Sequence, residues 1–179
     1  MLGMKVKQKA TIYIVRGILI LLTALTLWFI FSNASADGET SSNQSYTVTV
    51  TVQEVVGAIN PSSPIATATG EEFDLLHDFV RKVAHATEYF ALGLFAFGTY
   101  LSFVGPDGWH FAYITPCFVY LTAATDEYVQ TLAAGRAAEF SDLCVDCTGA
   151  LVGMVAALCV YGIVCWIIRR RRKRANGRD

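Results

Sequence analysis

Two long uncharged stretches near the ends of the chain constrain its fold more than anything else. Thr11 to Phe31 carries a single charge, Arg16, and Cys147 to Ile168 carries none. Each exceeds the ~20 residues a helix needs to cross a hydrocarbon core of about 30 Å. Between them lie two shorter uncharged runs, Tyr89–Val104 and Phe111–Thr125, separated by Gly105-Pro106-Asp107-Gly108, a cluster of turn-forming residues. A short connection favours antiparallel neighbours, so this pair reads as a helical hairpin. The expected fold is all-α: a small integral membrane bundle of about four transmembrane helices.

Basic residues near helix ends set orientation. Lys5, Lys7 and Lys9 precede the first helix, and Arg169 to Arg172, Lys173 and Arg174 follow the last. Both termini are therefore expected in the cytoplasm, with a multi-pass arrangement in the cytoplasmic (inner) membrane. The 32–80 segment holds no Lys or Arg and is read as a polar extracytoplasmic insert. The net charge of −1 hides this polarity, and the low charged fraction of 16% excludes disorder. The basic tail suits anionic lipid head groups and stop-transfer anchoring. No nucleic-acid partner is expected, and the sequence leaves the oligomeric state open.

The first helix has a rival reading as a secretory signal, because Ala34-Ser35-Ala36 follows a basic start and an apolar stretch. Its length favours a retained anchor. Ser32–Ser45 is expected to be loop. Tyr46 to Val52 alternates with period two and suits a short strand, although no partner strand is evident. Pro61, Pro64 and the Thr67–Gly70 stretch predict a non-helical link, and Glu71, Glu72 and Asp74 suit the start of a helix. The expected segments are 1–31, basic start and first helix; 32–72, Ser/Thr-rich insert; 73–168, membrane domain; and 169–179, basic tail.

The middle runs are too short to cross alone, so their helices must extend into charged flanks. Counting about 20 residues from Phe111 reaches Gln130, and counting back from Val104 reaches His85. Asp126, Glu127, His85, Glu88, Arg136, Asp142 and Asp146 then gather near one depth, at the outer boundary. Helical spacing groups them further. Asp78, Lys82, His85, Tyr89 and Leu92 share one face, with Arg81, His85 and Glu88 on the adjacent stripe. Asp126, Glu127 and Gln130 form a patch, and Asp142 and Asp146 are one turn apart. Gly149 and Gly153 continue that last line as a G-x-x-x-G packing face. Acids exposed to lipid are costly, so they are expected to meet Arg81, Lys82, Arg136 and protonated His85.

Arg81-Lys82-Val83-Ala84-His85-Ala86-Thr87-Glu88-Tyr89, followed by Leu92-Gly93, resembles the R-K-x-A-H-x-x-E-Y-x-x-L-G segment of the VanZ family. Asp126-Glu127-Tyr128-Val129-Gln130 is similar to that family's D-E-x-x-Q. Gly135-Arg136, Glu139, Asp142, Asp146, Gly149 and Gly153 resemble the pattern that closes its domain. The likeness covers Phe73 to Ile168, more loosely the first helix and Ser-rich loop. It implies a bacterial integral membrane protein of the cell envelope, with an effect on glycopeptide (teicoplanin) susceptibility, and supplies no mechanism.

Three function classes stay open. A binding module would hold a lipid-linked cell-wall precursor or a lipoglycopeptide, with Arg81, Lys82 and Arg136 on phosphate or carboxylate. Asp126, Glu127 and Gln130 would take amines, sugars or amides. An enzyme would use His85 as general acid or base, oriented by Asp126, Asp142 or Asp146. A scaffold would use the cluster only as a structural knot. Four helices are few for a secondary transporter, and inverted repeats are absent. No cofactor is implied. H-x-x-E is too weak a pattern to assign a metal, although His85, Glu88 and the helix-four aspartates leave room for a divalent cation. Cys144-Val145-Asp146-Cys147 lacks the second pair a zinc site needs, and Cys117, Cys159 and Cys165 read as small packing residues. His77 is expected at the outer surface, Trp109 and His110 at the cytoplasmic boundary, and Trp28 and Trp166 as interface anchors.

Overall fold

The computed structural model describes residues 2–104 and 111–176. Within them every regular element is a helix: α1 (Leu2–Ala34), α2 (Gly38–Ile59), α3 (Pro64–Thr67), α4 (Glu71–Val104), α5 (Ile114–Leu132) and α6 (Phe140–Asn176). The turn expected at Gly105–Gly108, together with Trp109 and His110, lies outside the described residues. So do the side chains of Lys5, Lys7, Arg172 and Arg174.

The 32–80 segment corrects the sequence reading. Instead of a Ser-rich loop and a strand over Tyr46–Val52, α1 runs on to Ala34 and α2 begins at Gly38. An isolated strand would leave its backbone groups unpaired, whereas a helix satisfies them internally. The Asp37 carboxylate accepts a hydrogen bond from Thr40 N at 2.7 Å and caps the new helix. That bond holds the exposed Asp37 carboxyl below the usual carboxylate range. Thr47, Thr49 and Thr51 each donate their hydroxyl to the carbonyl four residues back. The β-branched residues of the alternating run thus find local partners without a sheet. The helix stops at Ile59, because Asn60 precedes Pro61 and takes an extended conformation. Pro64 then opens the one-turn α3 in a stretch expected to be non-helical, where its missing N–H costs no helical bond. The acidic first turn of α4 is as expected.

The long helices pack through small residues. A Cβ added at Gly149 would collide with the backbone of Ala86, one at Gly153 with Phe90, and one at Gly93 with Ala150. The α4 and α6 backbones therefore run parallel and nearly touch. α1 lies antiparallel to α4, with Arg16 donating to Ser102 O at 2.8 and 3.2 Å and Asn33 donating to Glu88 at 2.9 Å. Arg16 also stands over the Phe103 ring. These registers put the start of α1 and the far ends of α4 and α6 together. The acidic residues of α5 and α6 lie at the opposite end.

The buried core is small. One cluster joins Ile30, Tyr89, Leu92, Val119, Ala123 and Ala150; a second joins Phe97, Leu101, Met154 and Ala157. By contrast Ile12, Ile18, Trp28, Leu151, Val155, Ile163 and Trp166 are exposed. Leaving each such side chain in water forgoes about 1.5–3 kcal/mol relative to burial. Lys9–Ala34 and Phe140–Arg171 are long and apolar enough to cross a membrane, and only 6% and 17% of their apolar windows are buried by the protein. A helix at the core of a soluble domain would be mostly buried. Lipid is the environment that resolves this exposure. All five cysteines are free.

Candidate functional site

Helical spacing carries the acidic residues of α5 and α6 inward. Asp126, Glu127, Gln130, Asp142 and Asp146 are all buried, as is Tyr89 on α4. Asp146 is fully enclosed, and its Oδ1 lies 3.3 Å from His85 Nδ1. Gln130 Nε2 donates to Asp126 Oδ2 at 3.3 Å, and Glu127 Oε2 accepts from Glu139 N at 2.9 Å. The expected convergence of His85, Glu88, Tyr89, Asp126, Gln130, Arg136 and Asp146 about one end of the bundle is present in this geometry.

The pairing of charges differs from the simple meeting of acids and cations. Arg81 spreads over Asp78 at 3.2 Å, Glu139 at 3.4 Å and Asp142 at 3.7 Å. Lys82 turns to Asp78 instead, at 2.7 Å, so it does not join the buried acids. The ammonium beside it holds the Asp78 carboxyl below the usual carboxylate range, and Asp78 raises Lys82 in return. Arg136 Nη1 donates to Asn33 O at 2.9 Å. The loop carrying Arg136 turns at Gly135, whose φ of 75° favours glycine. That loop also receives α2, since Gly38 N donates to Ala134 O.

Among the described residues, and apart from the His85 Nδ1–Asp146 Oδ1 contact, several buried polar atoms make no well-formed hydrogen bond: Tyr89 Oη, Asp126 Oδ1, Glu127 Oε1 and Asp146 Oδ2. Buried polar groups are nearly always paired, so this concentration is itself a feature of the site. Of these residues, His85 and Asp126 border a cavity of about 520 Å³ between α1, α2 and α4. Phe29, Ile30, Val48, Val52, Phe79 and Val80 give it apolar walls. Asn33, His85, Glu88, Asp126, Gln130 and Arg136 line its polar side. A neighbouring cavity of about 380 Å³ is more polar and shares Ser41, Ser45, Arg81 and Arg136 with it.

Sequence reasoning missed Asn33 and the contribution of α2, through Ser41, Ser45, Val48 and Val52. The signal was present in Asp37-Gly38-Glu39-Thr40, an N-cap followed by an acidic first turn. His77 is likewise more than a surface residue. It is half-buried against Phe73 and Tyr46, with ring centroids 6.4 and 6.5 Å away, and so helps hold α2 on α4.

A sequence model of the family described as VanZ/LLP1 matches residues 18–164. No curated protein and no solved structure matches the chain.

Proposed function

The chain belongs to the VanZ/LLP1 family, and from that premise we propose that it is a multi-pass bacterial protein of the cytoplasmic membrane. On this reading it binds an amphiphilic or lipid-linked cell-envelope molecule at its buried polar cluster. The two span-capable helices and the family match mark it as a membrane protein. Four crossings, formed by α1, the 85–104 part of α4, α5 and α6, follow from the uncharged runs. The basic flanks at one end of the bundle support cytoplasmic termini. The cluster then lies near the outer face, where a change in teicoplanin susceptibility would originate.

The observation that carries the binding role is the amphipathic cavity. Its apolar walls suit a hydrocarbon chain, while one side presents a histidine, an arginine, carboxyl groups and amides. Ligand sites combine these ingredients: mostly apolar lining and a few convergent polar groups. A purely structural knot would not need a cavity of about 520 Å³ beside it.

The test is to purify the protein in detergent and identify co-purifying lipids by mass spectrometry. A groove-filling Val48→Trp variant should lose the bound lipid while keeping normal membrane abundance. Unchanged lipid recovery would refute binding in this groove. His85 beside Asp146 favours acid–base chemistry as the second reading. Turnover of a lipid-linked precursor, abolished by His85→Gln, would establish it; a bound and unaltered precursor would favour the module.

A further inference from the structure

We infer that His85, Asp126 and Asp146 form a binding site for one divalent cation of the Mn2+ or Zn2+ type, with a coordination position open to the groove. One ligand atom from each residue lies within 4.8 Å of the other two. Within this trio, His85 Nδ1 and Asp146 Oδ1 are 3.3 Å apart. A tetrahedral centre with bonds of 2.0–2.1 Å separates its ligands by ~3.3 Å. The His85–Asp146 pair already has that separation, and Asp126 has to approach by at most about 1.5 Å to close on an ion.

The state of the individual atoms supports the same conclusion. Asp126 has Oδ2 held by Gln130 and Oδ1 buried without a partner, the condition of a carboxylate free to ligate through one oxygen. Asp146 is wholly buried, with Oδ1 facing only His85 Nδ1 at 3.3 Å and Oδ2 without a partner. Neither arginine near the cavity is engaged with them: Arg81 reaches Asp142, and Arg136 donates to Asn33 O. Burying such carboxyl groups without compensation is costly, and a cation supplies it. Tyr89 provides an independent sign. It is fully buried on the turn of α4 after His85, and its hydroxyl faces the Asp126 carboxyl. A phenol in that place orients a metal-bound carboxylate, as outer partners of metal ligands commonly do.

The donor set selects the class of ion. One imidazole and two carboxylates, without a thiolate, suit first-row divalent metals better than Ca2+, which takes six to eight oxygens. Glu88 is not one of the three converging residues and gives its Oε1 to Asn33. The ligands therefore come from α4, α5 and α6, not from an H-x-x-E pair on one helix. His85 and Asp126 both line the groove, so three protein ligands leave the ion's remaining position facing a bound molecule. The site stands independently of which molecule that is.

The full-length chain, purified in detergent and stripped with EDTA, is dialysed against MnCl2 or ZnCl2 and its metal content measured by plasma mass spectrometry. About one ion per chain is expected for the wild type. Tyr89→Phe should weaken binding roughly tenfold, and His85→Gln and Asp126→Asn by more. Glu54→Gln, exposed on α2, should bind as the wild type does. Should the ligand variants fail to fold, the wild type still decides: its unfolding temperature must rise with one of the two ions and not with MgCl2. Retention of neither ion by the wild type, or equal retention by a folded His85→Gln/Asp126→Asn chain, overturns the proposal.

Discussion

Replacing Gly149 by alanine tests whether the approach of α4 to α6 builds the site. In an exposed helix the exchange adds stability of up to about 1 kcal/mol, because alanine is the better helix former. At Gly149, however, the new Cβ would stand 3.0 Å from the Ala86 carbonyl carbon and nearer still to its oxygen, where ordinary contacts begin at 3.4 Å. Backbone cannot rotate aside as a side chain does, so the two helices must part by ~1 Å, an overpacking change that costs about 1–3 kcal/mol. Gly93→Ala and Gly153→Ala face the same obstacle on the same seam. Gly17 and Gly162 have nothing within 4 Å of an added Cβ and serve as internal controls. Thermal unfolding in one detergent should therefore split the five variants into two groups. For a chain of this size about 2–4 °C per kcal/mol is expected, downward at the seam and unchanged or upward at the controls. Parting the helices also draws His85 from Asp146, so the seam variants should lose ligand before they lose their fold. If Gly149→Ala and Gly93→Ala melt with Gly162→Ala, the parallel, touching arrangement of α4 and α6 is wrong.

Arg16→Ala removes two hydrogen bonds to Ser102 O and the contact over Phe103. It should lower stability by about 1–3 kcal/mol, read by the same unfolding assay. Asn33→Ala leaves the half-buried Glu88 without its amide donor and should cost about 1–3 kcal/mol. Adding Glu88→Ala should recover part of that loss, which a double-mutant cycle measures. Asp78→Asn breaks a partly exposed pair, so its cost at neutral pH should stay within about 1 kcal/mol. Because Lys82 lowers the Asp78 carboxyl, that contribution is present above the ordinary carboxylate range and fades as pH falls through the lowered value. The two chains should therefore converge in stability on acidification, and a gap that widens instead would contradict the pairing.

Much of the site was legible because depth and helical period act together. Two uncharged runs too short to cross a bilayer forced their helices into charged flanks, and that counting brought His85, Asp126 and Gln130 to one level. Period then chose the inward face: Asp142 and Asp146 are buried on the line that continues into Gly149 and Gly153. Charge complementarity served less well. Lys82 lies one residue beyond Arg81, about 100° round the helix, and meets Asp78 on its own helix while Arg81 reaches Asp142 on another. Spacing within a helix says which residues share a face, but the partner opposite depends on how the helices are set against each other.

The cover of the site was hidden for a different reason. Thr and Val in alternation satisfy the pattern of a half-buried strand, and the helix-start signal at Asp37–Thr40 lies outside that run. What decides against the strand is the absence of a partner for its backbone, together with hydroxyls able to bond back four residues. Once helical, the segment sets Ser41, Ser45, Val48 and Val52 on the side facing the cavity, spaced at three and four residues. The same Val residues that suggested a strand thus become the apolar wall of a groove, and the serines before them its polar rim. A loop in that place could not hold such a wall in register with Phe29, Phe79 and Val80. The helical insert is therefore the element that sets a cavity with an apolar wall and a polar rim beside the buried acidic residues.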